Sequence, residues 1–416
     1  MRFNRYLPAV LLYFFFNEVL LPFGLLYTTL LTPVFLLWLF KFPIFRKLIW
    51  FFILLLPFLI MQLYNGVDTL SYIRSTTLLF TVYVFSLTCY QFFTNCESIR
   101  RIYRDVTLFN AGMVILALFA LAIPIARKIF WYANEITPGV HTLRLRLLTY
   151  EPSYYATLLM PLMIYYYLKL IVGKLPDPKA TFALLTVPFL LTFSFGGMFG
   201  LALALLLTLL YGYRYFFNRR VILYLLIFGT TMVTALLVVL IAFPHNVLVI
   251  RFTNVFTGND SSFRGRTFES FYLGWRIADV KSIWFGCGAG QTRVAGLEIF
   301  RKFYDYPSAT GADVVIPNAV GDTFAAFGIL GVALRLGLQI GFFFKTRVYS
   351  NYYRLALFLF IFIYQLTGSF ITNIAEYVIW VMAFHPAIFP EFDKERFHRR
   401  IRVPRASLYR LSPKTT

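Results

Sequence analysis

Long apolar runs without a charged residue constrain this chain more than any other feature of its sequence. Segments 48–63 and 221–243 are two of them. A run of about 17 to 25 apolar residues can cross a bilayer as a helix. In lipid, every backbone polar group must be hydrogen-bonded within the protein, which leaves helices or closed barrels. Barrel strands read as alternating segments of about 10 residues. These runs do not alternate, so the sequence predicts membrane-spanning helices.

Composition excludes the main alternatives to a membrane protein. The 416 residues are 59% hydrophobic and 20% aromatic, and 14% of them are charged. A soluble domain carries about 25% charged residues, and a disordered chain has low hydrophobicity, whereas the mean hydropathy here is +0.71. We therefore predict an all-α polytopic membrane protein.

Breaks at Pro, Gly and charge clusters divide the chain into about twelve predicted spans. Because 180–193 is short and the outermost pairs of spans are separated by very few residues, the expected range is ten to twelve. The predicted spans are 6–22, 24–40, 48–63, 71–93, 107–126, 151–171, 180–193, 195–213, 221–243, 317–344, 355–371 and 372–388.

The net charge of +21 is unevenly distributed. More than half of the 39 Lys and Arg residues fall in alternate connections between spans and in the tail after residue 390. Excess Lys and Arg marks the cytoplasmic side, so we expect both termini in the cytoplasm and no nucleic-acid partner. The first apolar segment contains Asn17 and Glu18 and lacks a small-residue cleavage site, so we expect it to remain as a helix.

This topology predicts four parts of the chain. Spans one to nine occupy 1–243 and include a basic outward loop at 127–150, and a second, longer outward loop follows at 244–316. Three spans lie in 317–390, and 391–416 forms a basic cytoplasmic tail. A loop as long as the second one is usually functional, so we expect the active region on the outward face.

Apolar residues recur at helical spacing from Phe268 to Trp275 in the long loop. This pattern predicts an amphipathic helix at the membrane surface. Arg264 and Arg266 precede it. Guanidinium groups at a helix N-terminus favour an anion, and phosphate is the expected one. The alternative is an ion pair with Asp260.

Ionisable residues also lie in the predicted spans. A charge in hydrocarbon costs about 3 kcal/mol unless it faces protein or water. Four of these residues are expected to converge near the outward ends of their helices: Arg74, Glu151, Asp322 and Glu376. Structural ion pairs, such as Arg74 with Glu376, are the alternative. Arg335 and Glu18 lie deeper and are more typical of helix packing.

Three motifs occur in order along the chain. The first, at 144–153, is a basic stretch that ends in Glu-Pro-Ser and opens a helix. The second, at 262–290, has Arg-Gly-Arg before a Trp-containing helix and a Gly-x-Gly-x-Gly cluster. The third, at 317–331, is Pro-Asn-Ala followed by Gly-Ile-Leu-Gly. Together they resemble the motifs of Wzy-type polysaccharide polymerases in the O-antigen ligase and polymerase superfamily.

The resemblance covers roughly 140–335, and it implies a GT-C-like helical bundle in a bacterial inner membrane with its active site facing the periplasm. The implied activity is transfer of a glycan from polyprenyl (undecaprenyl) diphosphate to a sugar hydroxyl of a second lipid-linked repeat unit. Polyprenyl-diphosphate-linked oligosaccharides and the bilayer are the implied partners, with a chain-length regulator as a further one. No cofactor or metal is expected.

The resemblance also implies roles for individual residues. Glu151 is the expected base, and Arg266 and Arg264 are expected to stabilise the leaving diphosphate. For Glu151 the alternative is a helix-start carboxylate held by the macrodipole and a loop arginine. The remaining expected substrate-site residues are Arg144, Arg146, Arg74, Tyr154, Asn318, Asp322 and Glu376.

Two other functions remain open from the sequence. A ligase would move the glycan to a lipid-core acceptor. Ligases of the superfamily carry His where this chain has Pro317, which argues against that mechanism, and Ser194-Phe195-Gly196-Gly197 departs from the Ser-Arg that many members have before a glycine pair. A transporter or flippase would need two similar halves with paired broken helices, and the sequence contains no convincing internal repeat.

Overall fold

The computed structural model describes residues 6–18, 21–22, 25–137, 140–171, 178–216, 253–254, 257–258 and 261–397. The predicted span 221–243 and most of the predicted cytoplasmic tail lie outside these residues.

Helices dominate the described part of the chain. The first seven are α1 (Leu7–Phe15), α2 (Tyr27–Leu30), α3 (Thr32–Leu39), α4 (Leu48–Tyr64), α5 (Thr69–Asn95), α6 (Ile99–Phe119) and α7 (Pro124–Phe130). A hairpin of β1 (Trp131–Thr137) and β2 (Val140–Leu145) follows. The next four helices are α8 (Pro152–Ile171), α9 (Pro178–Leu191), α10 (Phe195–Tyr211) and α11 (Tyr213–Phe216).

The second half of the described chain is also helical. A short helix, α12 (Ser261–Arg264), continues through a π-helical turn (Gly265–Glu269) into α13 (Ser270–Asp279). The remaining α-helices are α14 (Thr292–Ala295), α15 (Leu297–Tyr304), α16 (Ala319–Lys345), α17 (Tyr352–Tyr364) and α18 (Ile374–Phe384).

Four of the described helices are long and apolar enough to cross a membrane: Pro43–Tyr64, Thr69–Asn95, Ile99–Ala122 and Ala319–Lys345. These helices support an all-α membrane protein and a bilayer environment. The described residues do not establish the predicted count of twelve spans. Where 6–22 and 24–40 were expected to span, the chain forms the short helices α1 to α3, because the apolar pattern is interrupted near Asn17.

Helix α8 lies at the centre of the bundle. Every residue from Pro152 to Tyr165 is buried, and α9, α10, α17 and α18 pack around it. A buried tyrosine hydroxyl requires a partner. Tyr155 accordingly donates to Asn110 Oδ1 at 2.6 Å, and Tyr353 donates to the Pro161 carbonyl at 3.2 Å. Position 151, directly before α8, is thereby held against a rigid core.

The two-stranded hairpin is a departure from the predicted all-α class. Its strands are antiparallel, with Trp131 opposite Leu145. Trp131 anchors the hairpin by donating from Nε1 to the Ala117 carbonyl at 2.7 Å. Because β2 ends six residues before Glu151, the hairpin carries Arg144 to the entrance of α8.

The glycine cluster after α13 serves close backbone packing. Gly286 has φ 74°, and a Cβ there would lie 2.4 Å from the Ala326 carbonyl carbon. Helix α16 is kinked at Gly328, which has φ 65° and ψ −163°. The two backbones therefore approach closely enough for Cys287 N to donate to the Ala325 carbonyl at 2.9 Å. This joint fixes the long loop on α16.

Helix α13 lies in the segment for which the sequence predicts an amphipathic helix, but most of its buried residues are not those of the predicted apolar face. Leu273 and Ile277 are buried, and a Cβ on Gly274 would lie 2.6 Å from the Gly321 carbonyl oxygen of α16. Phe268, at 78% exposure, and Trp275 lie on the exposed side. Small residues permit the close helix contact, which leaves the aromatic stripe facing outward.

Candidate functional site

Glu151 lies directly before the first turn of α8, and Pro152 begins the helix. Its backbone carbonyl accepts from Tyr155 N at 3.2 Å and from Thr149 Oγ1 at 3.0 Å. Its side chain is deeply set but keeps a partial opening to the outside. Among the residues that the structure describes, the carboxylate has no ion-pair or side-chain hydrogen-bond partner. Glu151 is therefore a partly buried acid that no ion pair or side-chain hydrogen bond from the described residues holds in place.

Two guanidinium groups, Arg266 and Arg144, influence this carboxylate from nearby. Burial raises the pKa of Glu151, and these two arginines partly oppose that shift, Arg266 more strongly than Arg144. Neither arginine forms an ion pair with Glu151. Because desolvation outweighs both positive charges, the carboxyl takes up a proton more readily than an exposed glutamate.

Arg266 is presented by the π-helical turn between α12 and α13. Such turns occur frequently at functional sites. Asn318 holds the turn in place, since its Nδ2 donates to the Arg266 carbonyl at 2.9 Å and also to the Leu366 carbonyl. The Asn318 side-chain oxygen caps α16 by accepting from Val320 N at 3.0 Å and Gly321 N at 2.9 Å. Asn318 is thus fully engaged in positioning the backbone of Arg266.

Arg264 has a different environment from Arg266. It forms an ion pair with the buried Glu269 at 2.8 Å, and its side chain is 56% exposed. Tyr304 donates to the other Glu269 oxygen at 2.9 Å. The alternative partner named from the sequence, Asp260, lies outside the described residues. Arg264 is therefore committed to holding the loop.

The two arginines of the hairpin region also differ. Arg144 Nε donates to the Thr192 carbonyl at 2.9 Å, and its Nη2 lies 3.5 Å from Ser153 Oγ. Arg146 donates to the Tyr150 and Lys128 carbonyls at 3.3 and 3.0 Å. Arg144 lies beside Glu151, whereas Arg146 secures the loop backbone.

Three tyrosines lie near Glu151: Tyr150, Tyr154 and Tyr364. Tyr154 packs on Tyr150 with ring centroids 4.7 Å apart, and the Tyr154 hydroxyl lies 3.5 Å from Asn17 Nδ2. Tyr364, at the end of α17, lies within electrostatic range of both Glu151 and Arg266. Sequence reasoning missed Tyr364, because nothing in the apolar run around it distinguishes it from a lipid-facing tyrosine.

The other three predicted site residues have contacts of their own. Glu376 is fully buried and paired with Arg335, so the pair Arg74–Glu376 suggested as an alternative does not form. Arg74 is exposed on α5 and has no ion-pair partner within the described ranges. Asp322 accepts from Ile371 N at 3.2 Å. None of the three forms an ion pair or a hydrogen bond with Glu151, although Glu376 and Glu151 both lie within electrostatic range of Tyr364.

The arrangement can hold an anion and move a proton. A phosphate group beside Arg266 and Arg144 would be attracted strongly in a partly dehydrated setting, and Glu151 could accept a proton from a hydroxyl next to it. The sequence matches no protein-family model and no curated protein at a significant level.

Proposed function

We propose that this protein is a membrane glycosyltransferase that extends a polysaccharide. Its donor is a glycan carried on polyprenyl diphosphate, and its acceptor is a sugar hydroxyl of a lipid-linked repeat unit. The observation that carries this proposal is a partly buried Glu151 carboxylate without an ion pair, within electrostatic range of Arg266 and Arg144. A structural carboxylate would be expected to bind one of these arginines directly.

The reaction needs charge stabilisation at one point and a base at another. Breaking the bond between the sugar C1 and the diphosphate oxygen leaves negative charge on the diphosphate and oxocarbenium character on the sugar. Arg266 and Arg144 stabilise the leaving diphosphate. The acceptor oxygen forms the new bond to C1 while Glu151 accepts its proton. A single displacement of this kind inverts the anomeric centre.

Burial of Glu151 suits it to this role. A carboxyl whose pKa is raised is a better proton acceptor at neutral pH than an exposed one, provided that it is still ionised there. The two arginines keep the pKa from rising further. Arg266 and Arg144 therefore stabilise the leaving diphosphate and also limit protonation of Glu151.

The proposed setting is a bacterial cytoplasmic membrane, with both termini in the cytoplasm and Glu151 on the opposite face. A chain-length regulator is a proposed partner. Cysteine-labelling of Arg146→Cys and Arg214→Cys in spheroplasts tests the orientation, since only the first should react with an impermeant reagent from outside.

Reconstitution tests the activity. Purified protein in lipid vesicles is mixed with polyprenyl-diphosphate-linked repeat units, without nucleotide, and the products are separated by size. A ladder is expected, because only repeated transfer gives one. Glu151→Gln should reduce the rate by about 10²- to 10⁴-fold. Glu298→Gln is the matched control, because that glutamate is an exposed partner of Arg301, and it should leave the ladder unchanged.

Two results would count against the proposal. A normal ladder from Glu151→Gln would remove its chemical basis. A single addition to a lipid-core acceptor, with no ladder, would instead identify a ligase.

A further inference from the structure

A large apolar cavity lies between α1, α3, α5, α6, α8 and α18. The cavity volume is about 180 Å³, and the cavity is partly open. Its lining is almost entirely hydrocarbon and aromatic, with Tyr13, Phe35, Leu158 and Leu162 among the residues that form it. Protein interiors are normally packed without voids of this size, so the cavity is suited to an apolar occupant.

The cavity lies on the same helix as the charged site. Thr157 and Leu158 line its wall and follow Glu151 by less than two helical turns. At 1.5 Å per residue, they lie about 9 to 11 Å along α8 from the carboxylate, and Leu162 lies about 16 Å along it. The apolar space therefore begins about 9 Å along α8 from Glu151.

The N-terminal segment supplies one wall of the cavity. Helices α1 and α3 contain nine and eight residues, too few to cross a bilayer. Tyr13 and Phe35 of this segment pack against Phe85 of α5, with ring centroids 5.7 and 5.4 Å from it. The segment thus closes the side of a cavity, a role different from that of a pair of spanning helices.

We propose that the cavity binds the first isoprene units of a polyprenyl phosphate whose phosphate lies at Arg266 and Arg144. An amphiphile with an anionic head and a hydrocarbon chain matches both features, because the charged site and the apolar space adjoin along α8. The choice of an isoprenoid over an acyl chain rests on the proposed function.

Direct binding tests this proposal without an activity assay. The full-length protein in detergent is titrated with undecaprenyl monophosphate, geranyl phosphate and a dioleoyl phosphatidic acid. Undecaprenyl monophosphate should bind most tightly, with geranyl phosphate weaker because its chain fills less of the cavity. Equal affinity for phosphatidic acid would overturn the isoprenoid assignment.

Cavity-filling variants locate the chain. Leu158→Trp places a large ring inside the cavity, and Ala9→Trp does so at an exposed position on its lining, where folding is less at risk. Each should weaken undecaprenyl monophosphate binding by about tenfold or more. Ala202→Trp, on the exposed side of α10, is the matched control and should bind normally. Normal binding by a folded Ala9→Trp protein would overturn the proposal.

The outcomes separate this inference from the proposed activity. Tight, cavity-dependent binding without a product ladder would leave the lipid site standing and remove the polymerase. A product ladder together with normal undecaprenyl monophosphate binding in both cavity variants would support the polymerase activity and exclude the lipid site in this cavity.

Discussion

Two sites in this protein bring acidic and basic side chains together, and they differ in their contacts. In the bundle core, Arg335 and Glu376 are in direct contact and nearly inaccessible, at 11% and 0% side-chain exposure. At the entrance to α8, Glu151 has Arg266 nearby but forms no ion pair with it. The first cluster is complete by itself, whereas the second has a charge without a partner.

The core cluster satisfies its polar atoms within the protein. Trp380 Nε1 donates to Glu376 Oε1 at 3.1 Å, and Ser369 Oγ donates to Glu376 Oε2 at 2.6 Å. Arg335 Nε also donates to Gln365 Oε1 at 2.9 Å. A buried charge that is paired and hydrogen-bonded needs no ligand. The comparison indicates a structural role for this cluster and a functional role for the site of Glu151.

The largest expected effect is a difference in unfolding free energy between variants of Glu376 and Glu151. Glu376→Ala leaves Arg335 buried without its counter-charge and should cost about 3–5 kcal/mol of unfolding free energy. Glu151→Ala should cost less than about 1 kcal/mol, because no ion pair is lost. Denaturant unfolding of both proteins in the same detergent measures the difference. Equal losses would mean that the two clusters are alike.

The next effect separates two neighbouring arginines by activity. Arg266→Ala removes a charge beside the leaving group and should lower the rate of chain extension by about 10²- to 10³-fold. Arg264→Ala breaks the ion pair between a half-exposed guanidinium and the buried Glu269, which should lower stability, but the rate of the folded protein should stay close to that of the wild type. Initial rates at saturating acceptor provide the measurement. A larger loss for Arg264→Ala would reverse the assignment of the two residues.

A smaller effect tests the positioning of Arg266. Asn318→Ala removes the donor to the Arg266 carbonyl and the cap of α16, and caps are worth about 1 kcal/mol. We expect the rate to fall about tenfold, with the pH dependence of the remaining activity unchanged, since Asn318 does not touch the proton acceptor. Asn351 caps α17, so Asn351→Ala removes a comparable cap and should affect stability alone. Full activity of Asn318→Ala would exclude a positioning role.

The smallest effect concerns the pH dependence. Burial raises the pKa of Glu151, and a base must be ionised to act, so kcat/KM should rise with pH through a range above that of an ordinary glutamate, about 4.3. Arg144 lowers that pKa, and Arg144→Ala should therefore shift the rise to higher pH by less than about one unit. Arg74→Ala, at an exposed position, should not move it. A shift to lower pH would contradict the proposed environment of Glu151.

Some of the missed structure left a trace in the sequence. Leu143, Leu145 and Leu147 alternate with Arg144 and Arg146, which is the period of a strand, and Leu145 and Leu147 are fully buried. That alternation could have indicated β2. Arg144 and Arg146 by themselves favour a basic loop, which is the prediction made from the sequence for this segment.

Other features left no local trace. Glu376 pairs with Arg335 and not with Arg74 because α16 and α18 meet in the bundle, and hydrophobic periodicity does not say which helices are neighbours. Tyr364 likewise comes within electrostatic range of Glu151 because α17 packs against α8, and the sequence around Tyr364 does not indicate that packing.

The apolar runs and helix-start signals determined that this is a helical membrane protein and that a helix begins after Glu151, because a backbone in lipid must bond to itself and Pro152 suits a first turn. The fold decided which charges meet. Arg266 lies far from Glu151 along the chain, and it comes within electrostatic range of the carboxylate because Asn318 and the glycine joint hold the long loop against α16. Long-range pairing depends on the packing of whole helices, and only the tertiary structure contains it.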